Sequence, residues 1–447
     1  MGHAEFKFES DRAARAISMD EYWMPFTPNR DFRHEPKMVV RAEGMFVWNE
    51  RGEKLIDASS GLFCVNAGHC RREIADAVSA QLRELDFIAP FTRGHPKQFE
   101  LATRVAALTP GDLNRIFFVN SGSEAIDTAM KVALAYWHAK GQGGRTMFVS
   151  RERAYHGVNF GGTSLAGLVN NRRKFGLALP GIAHMRHTHV PENRLVPGQG
   201  AHGAELADDL VRFVNLYGAE NIAACFVEPI AGSTGCLVPP RGYLERLREI
   251  CDQHGILLVF DEVITGFGRT GAAFGAQSFG VVPDLMTMAK GLTNGAQPMG
   301  AVAVSQRVHD AIVDAAADGA IEFFHGYTYS GHPAACAAGL ATLDIYRDEG
   351  LFERANALSP YFLEGLFSLR DVPIVADLRG YGMMGAIEVH PDGTPGKRGH
   401  QFQKRLFDNG LHLKATGDAA IVAPPLIAER AHVDTIIDVL RRTLQSL

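Results

Sequence analysis

The sequence predicts an α/β fold in which helices cover both faces of a mostly parallel β-sheet. From about residue 70, short apolar runs alternate with segments of helical periodicity, which is the pattern of βαβ units. The run ILLVF at 256–260 contains only apolar residues, as expected of a strand that is buried on both faces. The chain has 447 residues, 46% of them hydrophobic, so it is long enough for two or three domains with a sizeable core.

The predicted elements follow in order along the chain. A strand at 115–120 precedes a helix at 123–140, and TMFVS at 146–150 is predicted as the next strand. A strand at 222–230 follows a helix at 205–217, whose apolar residues share one face: Leu206, Leu210, Phe213, Val214 and Tyr217.

A further helix is expected to end at Gly255, directly before the strand at 256–260. Its apolar residues recur at helical spacing: Leu244, Leu247, Ile250 and Cys251. Another apolar run follows at 285–289, and the Gly/Pro-rich patch at 390–399 predicts an exposed turn. We place a domain boundary near residue 330.

Composition indicates small-molecule partners. The formal charge is -5 and the basic residues are scattered, so the chain has no electrostatic footprint for nucleic acid or an anionic membrane. No uncharged apolar run is long enough to span a bilayer. The six cysteines form no C-x-x-C pair and the N-terminal MGHAEFKFES has no signal-peptide core, so we expect a reducing cytoplasm.

The stretch at 256–271 contains a G-x-G-x-x-G spacing formed by Gly266, Gly268 and Gly271. A dinucleotide-binding turn needs its first glycine directly after the strand, a helix opening at the third, and an acid that ends the next strand. Here DEVIT intervenes, further glycines prevent a long helix, and Asp284 begins the next apolar run. The glycines are instead expected to let a turn lie close to other backbone.

Asp261 and Lys290 are better candidates for chemistry. Asp261 ends a buried strand, and Lys290 ends the next apolar run, so both are expected at the crevice where α/β sheets bind ligands. Spacing alone leaves open a structural ion pair between them or a catalytic pair.

The segment SGSEA, after the strand at 115–120, is a second candidate. Ser121, Gly122 and Ser123 form a small-residue turn whose free N–H groups and hydroxyls suit a phosphate at a helix N-terminus. The alternative is a plain helix cap, with Ser123 followed by Glu124 in the first turn.

A phosphate turn, a strand-end acid and a lysine after a strand are together what pyridoxal phosphate (PLP) needs. The turn anchors the phosphate, the lysine amine forms a Schiff base with the aldehyde, and the acid keeps the pyridine nitrogen protonated. Tyr155 and His156, after the strand at 146–150, would place an aromatic face beside the ring.

Three histidines, His184, His187 and His189, lie close together in the sequence, as metal ligands often do. No cysteine or acidic ligand accompanies them at helical i, i+4 spacing. We therefore expect loop or packing histidines and no metal site.

These residues lie in motifs that strongly resemble the class III, PLP-dependent aminotransferases. SGSEA, YHG, FVEPI, FDEVITGFGRTG, AKGL and GYTYSGHP occur in the family's order and spacing, and the likeness runs from about residue 20 to the C-terminus. YWMPFTPNR at 22–30, NRIFFVNSGSEA and LREICDQHGILLVFDEVITGFGRTG look most like the ω-amino acid:pyruvate (β-alanine:pyruvate) aminotransferases.

The resemblance implies the PLP-dependent transferase fold type I. Residues 66–330 would form a large domain with a mostly parallel seven-stranded sheet, and 331–447 would form a smaller α+β domain together with the N-terminal segment 1–65. The resemblance also implies a homodimer, or a dimer of dimers, with active sites at subunit boundaries. The implied reaction is ping-pong transfer of an amino group from an amine donor to pyruvate.

Roles are carried over by matching motif. The resemblance makes Lys290 the Schiff-base lysine and Asp261 the partner of the pyridine nitrogen. Gly122 and Ser123 would hold the phosphate, which Thr328 of the GYTYSGHP segment would reach from the other subunit.

The same resemblance gives Tyr155 a stacking role on the ring and places Val263 on the other ring face. Glu228 of VEPI would support the local hydrogen bonds. Three aromatic residues resemble the lining of the substrate pocket, with ordinary core packing as the alternative: Phe26, Phe63 and Phe91.

The sequence departs from the family at Lys414, where related enzymes commonly carry an arginine that takes the substrate carboxylate. Lysine offers a point charge in place of a planar bidentate fork. Lys414 could bind the carboxylate, or it could be a solvated lysine while Arg269 or a backbone site takes that role.

Other functions stay open at this point. The donor could be taurine, a diamine, an aromatic amine or 4-aminobutyrate, and the chain could bind PLP without turnover. Retention of Lys290 and Asp261 speaks against a non-catalytic protein, and the misplaced glycines speak against a nicotinamide oxidoreductase.

Overall fold

The computed structural model describes residues 18–176 and 179–447. Its strands are β1 Val39–Glu43, β2 Phe46–Asn49, β3 Lys54–Asp57, β4 Arg115–Val119, β5 Met147–Arg151, β6 Ile182–Met185, β7 Ile222–Val227, β8 Leu257–Asp261, β9 Leu285–Met288, β10 Gly300–Val304, β11 Val375–Tyr381, β12 Met384–Val389, β13 Leu411–His412, β14 Lys414–Thr416 and β15 Ala419–Val422. Its helices are α1 Asn29–His34, α2 Ser60–Phe63, α3 Arg72–Glu84, α4 Pro96–Ala106, α5 Gly122–Ala139, α6 Phe160–Leu165, α7 Val169–Arg172, α8 Asp209–Tyr217, α9 Tyr243–His254, α10 Gly275–Phe279, α11 Gln306–Asp314, α12 Pro333–Asp348, α13 Leu351–Phe367, α14 Lys397–Asp408 and α15 Arg430–Gln445.

Within these ranges a seven-stranded sheet forms the centre, in the order β4-β10-β9-β8-β7-β5-β6. Neighbouring strands are parallel except where β10 runs against β4 and β9. β8, which contains most of the predicted strand ILLVF, is the middle strand, and all of its residues are buried. These pairings confirm the predicted mostly parallel sheet. The full burial of β8 is typical of a strand with helices on both faces of its sheet.

The predicted helices before β8 are present with one difference. Gly255 ends α9 in the left-handed region, with φ 62°, as predicted. The helix expected at 205–217 is instead a 3-10 turn over Ala204–Asp208 followed by α8. Leu206 and Leu210 are buried across this junction, whereas Tyr217 at the end of α8 is exposed and does not continue the apolar face.

Two smaller four-stranded sheets, β1-β2-β3-β13 and β11-β12-β15-β14, flank the central one in the described part of the chain. β3 pairs in parallel with β13, so the N-terminal segment shares a sheet with C-terminal residues. The division into 1–65, 66–330 and 331–447 stays a prediction, and residues 1–17 lie outside the described ranges. Across those ranges we find no helix with the length and apolar character needed to cross a membrane.

The G-x-G-x-x-G segment forms a closely packed turn after β8. A Cβ on Gly266 would lie 2.8 Å from the carbonyl oxygen of Glu262, and one on Gly268 would lie 2.5 Å from a ring carbon of Phe352. Gly271 leads only to the five-residue α10. The glycines serve close packing, as predicted, and the geometry is not that of a dinucleotide-binding turn.

Arg269, in this turn, joins distant segments of the chain. Its buried guanidinium donates to the carbonyls of Met383 and Pro424 at 3.0 and 2.6 Å. It also donates to the Ser60 hydroxyl at 3.0 Å and to the Asn66 amide oxygen at 2.6 Å. Burial lowers the pKa of Arg269 to about 10. These four acceptors stabilise a buried cation, so replacing Arg269 would leave buried oxygens without a hydrogen-bond donor.

We expect Arg269→Met to lower the free energy of unfolding by about 3–5 kcal/mol, since four buried oxygens lose their donor. Urea denaturation followed by circular dichroism measures the loss. Arg212→Met is the matched control, because the Arg212 side chain is 77% exposed and its ion pair should contribute less than about 1 kcal/mol. Equal denaturation midpoints for the two variants would show that the network does not stabilise the fold.

Candidate active site

A cavity of about 510 Å³ opens at the carboxyl ends of the central strands. Asp261, at the end of β8, and Lys290, after β9, both line it, as expected for an α/β sheet. The structure brings further predicted residues to the same wall: Phe26, Phe63, Gly122, Ser123, Tyr155, His156, Glu228, Val263 and Lys414.

Asp261 is held by three hydrogen bonds and is only 6% exposed. Its carboxylate accepts Nδ1–H of His156 at 2.8 Å, the Thr287 hydroxyl at 3.2 Å and the N–H of Val263 at 3.2 Å. In the described ranges no ion pair joins Asp261 to Lys290, so the purely structural pair that the sequence left open is not formed. Asp261 therefore remains available to a ligand in the cavity.

Lys290 follows β9 with a left-handed backbone, φ 48°, which is uncommon outside glycine. Its Nζ lies 5.2 Å from the centroid of the Phe63 ring. Burial lowers the pKa of Lys290, and the negative charges of Asp261 and Glu228 oppose this shift. A lowered pKa increases the fraction of neutral amine near pH 7, which is the form that acts as nucleophile and base.

In the SGSEA turn, one residue caps helix α5 and the next two residues line the cavity. Ser121 is the N-cap of α5: its hydroxyl accepts the N–H of Glu124 at 3.1 Å, and Ser121 is not among the cavity-lining residues. Gly122 and Ser123, the first residues of α5, line the cavity. Gly157 approaches so closely that a Cβ there would lie 2.5 Å from the Ser123 hydroxyl oxygen. The cap is thus Ser121 and not Ser123, and the helix N-terminus on the wall suits an anion.

Glu228 is buried beside Tyr155, whose N–H donates to the Glu228 carboxylate at 3.0 Å. Burial raises the pKa of Glu228 to about 7; His156 opposes the rise and Asp261 adds to it. Glu228 is therefore close to half ionised near neutral pH, which limits the negative charge next to Asp261.

Two predicted residues lie away from this cavity. Phe91 is 55% exposed, and Thr328 is exposed in a surface turn. The loop that carries Thr328 approaches Phe91 at Gly326, where an added Cβ would lie 3.1 Å from a ring carbon of Phe91. The core-packing alternative fails for Phe91 and for Phe26, which is 78% exposed at the cavity mouth.

The cavity wall also contains residues that the sequence did not indicate: Leu62, Gly157, Leu168, Asn171, Ser233, Ile264, Ala289, Ala415 and Thr416. Most of them come from loops whose positions depend on long-range packing. Only proximity in sequence to a predicted residue could have suggested some of them, such as Gly157 beside His156.

Lys414, on β14, lines the cavity. Burial, together with the charge of Lys290, lowers the pKa of Lys414 to about 8. Arg269 does not line the cavity and donates to the buried network described above. Of the two side chains considered from the sequence, only Lys414 faces the site.

His189 belongs to a buried ion-pair network. Its Nε2 lies 2.8 Å from the Asp377 carboxylate, and the ligand atoms of His189, Asp377 and Glu388 lie within 4.8 Å of one another. The Arg379 guanidinium donates to both carboxylates, at 2.6 and 2.7 Å. Because Arg379 already donates to both carboxylates, the packing interpretation of His189 fits better than a metal site.

The family model described as aminotransferase class-III matches residues 29–444. The chain belongs to the class III aminotransferases. The omega-aminotransferase of Caulobacter vibrioides is 53% identical over 96% of this chain and 98% of that relative. The beta-alanine–pyruvate aminotransferase of Pseudomonas aeruginosa is 46% identical over 96% of this chain and 97% of its own.

The crystal structure of the omega transaminase from Pseudomonas jessenii in complex with PMP superposes with a TM-score of 0.90 at 34% identity, covering 96% of each chain. The fold type I prediction is therefore confirmed for this class III aminotransferase. Its family is PLP-dependent, and its members use an amine donor and a keto-acid acceptor.

Short pulses of an acylating reagent should reveal the lowered pKa of Lys414 in the cofactor-free protein. Only the neutral amine reacts, so labelling should reach half its maximal rate near pH 8, whereas a solvated lysine titrates near about 10.4. Mass spectrometry of peptides labelled between pH 6.5 and 11 measures the labelling rate of Lys414. The exposed Lys140 in the same sample is the reference. Identical pH profiles for Lys414 and Lys140 would contradict the shift.

Proposed function

We propose that this class III aminotransferase transfers the amino group of an ω-amino acid such as β-alanine to pyruvate, with PLP as cofactor. The observation that carries the proposal is the placement of Lys290, Asp261 and the N-terminus of α5 around one cavity. The names of the similar relatives, omega-aminotransferase and beta-alanine–pyruvate aminotransferase, support the choice of donor and acceptor.

The residues present fit the cofactor. Gly122 and Ser123 would hold its phosphate at the N-terminus of α5. Asp261 would pair with its pyridine nitrogen, and Tyr155 and Val263 would contact the two ring faces. When bound, PLP supplies an electron sink for negative charge that develops on the substrate carbon.

The buried hydrogen bonds around Asp261 support this fit. His156 and Thr287 donate to the carboxylate while it remains on the cavity wall. A pyridinium nitrogen needs a fixed anion as its partner, and two side-chain donors from different segments fix this one. Glu228, with its raised pKa of about 7, adds less competing charge than a second full carboxylate would.

Lys290 moves the proton. Burial favours the neutral amine at Nζ, which would take the proton from the substrate carbon that bears the nitrogen. The face of the Phe63 ring, 5.2 Å from Nζ, would hold this amine in place beside the cavity.

Lys414 would bind the substrate carboxylate below about pH 8, where its ammonium is charged. A lysine is less selective in geometry than the family's arginine, so carboxylates at different distances from the amine can be accepted. Taurine, a diamine, an aromatic amine or 4-aminobutyrate remain alternative donors, and a PLP-binding protein without turnover is a less favoured alternative.

The proposal includes a homodimer, or a dimer of dimers, with shared sites. Phe91 and Thr328 are both exposed outside the cavity of their own chain, and Phe91 approaches the Thr328 loop at Gly326. A second copy that packs on this surface would receive Thr328 at its phosphate site and Phe91 at its substrate pocket. A cytoplasmic location stays a prediction from cysteine usage.

Visible absorption of the protein reconstituted with PLP tests the function. β-Alanine without a keto acid should bleach the band of the lysine–cofactor adduct, and pyruvate should restore it, because the two half-reactions are separate. A band that β-alanine leaves unchanged would refute the donor. No band after incubation with PLP would refute the assignment of Lys290.

Lys290→Ala should abolish turnover and leave the fold intact, since no other group replaces its amine. The surface variant Lys140→Ala is the matched control and should keep wild-type rates. Appreciable transamination by Lys290→Ala, measured as alanine formed from pyruvate, would contradict the role of Lys290.

Lys414 should favour β-alanine over propylamine, an amine of similar length without a carboxylate. Lys414→Met should lower kcat/KM for β-alanine by about 10- to 100-fold and leave propylamine nearly unchanged. In the wild type the ratio of the two kcat/KM values should fall as pH rises through about 8, because the ammonium loses its proton. Lys414→Arg should keep the ratio flat. A ratio independent of both pH and substitution would exclude Lys414 from carboxylate binding.

A further inference from the structure

The loop that carries Thr328 has little burial of its own. It connects α11 to α12, and every residue of 321–330 is at least partly exposed. Phe324 and Tyr329 are 85% and 57% exposed. Within its own chain, burial contributes little to ordering this loop, so specific contacts must hold its conformation until a second copy packs on it.

His325 attaches this loop to the body of the protein. Its Nε2 lies 2.8 Å from the Thr128 hydroxyl, and Nζ of Lys131 lies 3.3 Å from its Nδ1. The ring stacks on Phe117 of β4, with centroids 5.5 Å apart and planes within 10°. Tyr327 also packs edge-on against the His325 ring, with the two ring centroids 5.0 Å apart. These contacts fix the loop three residues before Thr328.

The polarity of the contacts requires a neutral imidazole. The Lys131 ammonium can only donate, so Nδ1 must accept, and Nε2–H then donates to Thr128. Burial and the charge of Lys131 lower the pKa of His325, which favours this form.

The anchoring helix also forms the candidate phosphate site. Thr128 and Lys131 lie on α5, whose first residues, Gly122 and Ser123, line the cavity. Thr128 follows Gly122 by less than two helical turns. The same helix thus fixes the phosphate turn of its own subunit and the loop that bears Thr328.

We propose that His325 is a positioning residue for the PLP phosphate bound in the partner subunit. By fixing the loop to α5, His325 presents Thr328 in the conformation that meets this phosphate across the interface. This inference rests on the proposed function, in which Thr328 completes the site of a second copy. Each α5 then supports two phosphates, one through its N-terminus and one through His325 and Thr328.

A double-mutant cycle on PLP affinity tests the inference. The dissociation constant is measured by absorbance titration of cofactor-free protein for the wild type, His325→Ala, Thr328→Ala and the double variant. Thr328→Ala should weaken PLP binding by about tenfold or more, as loss of a hydrogen bond to a charged group does. His325→Ala should weaken it nearly as much, and the double variant no more than Thr328→Ala alone.

Three further variants separate positioning from folding. Thr128→Val removes only the hydroxyl partner and should weaken PLP binding several-fold in the wild-type background but not in Thr328→Ala. His325→Gln keeps a donor near Nε2 and should restore most of the affinity. His309→Ala, at a half-buried position of α11 outside the His325 contacts, should leave the affinity unchanged.

The outcomes distinguish the two proposals. Additive losses in the cycle, or an unchanged affinity in His325→Ala and Thr128→Val, would overturn the role of His325 while leaving the shared site intact. An unchanged affinity in Thr328→Ala would overturn the shared site, and the role of His325 with it.

Discussion

The hydrogen bonds that hold the Asp261 carboxylate at the end of β8 are the constraint on which the rest of the site depends. β8 is buried along its whole length, so a charge at its end needs donors. Thr287, on the neighbouring strand β9, and His156, in the segment that follows β5, provide them. The sheet therefore places the anion, and the cavity, Lys290 and the N-terminus of α5 are arranged around it.

Three residues of the cavity wall have a strained backbone. Phe26, Phe63 and Lys290 all line it with positive φ, at 48°, 61° and 48°. Such conformations cost about 1–3 kcal/mol each and persist only where surrounding contacts determine them. The Arg269 network supplies such contacts near Phe63, through its hydrogen bond to Ser60. The fold thus stabilises backbone conformations around the cavity that the local sequence would not adopt by itself.

Two lysines in one cavity give the site its electrostatic character. Lys290 and Lys414 are both desolvated, and the charge of Lys290 also lowers the pKa of Lys414. Burial thus shifts Lys290 towards its neutral amine, while Lys414 keeps its charge up to about pH 8. Cys64, Asp261 and Glu228 oppose the loss of charge at Lys290, so the balance depends on these groups as well as on the two lysines.

The sequence by itself determined the central sheet, the end of α9 and the placement of Asp261 and Lys290 at one edge, because apolar periodicity and strand ends are local properties. It also determined the family, through motifs in order. Only the tertiary structure decided that Asp261 pairs with His156, that Arg269 is structural, and that Phe91 and Thr328 lie outside their own cavity. Those contacts join residues far apart in sequence, and burial sets both the pKa of a group and its available partners.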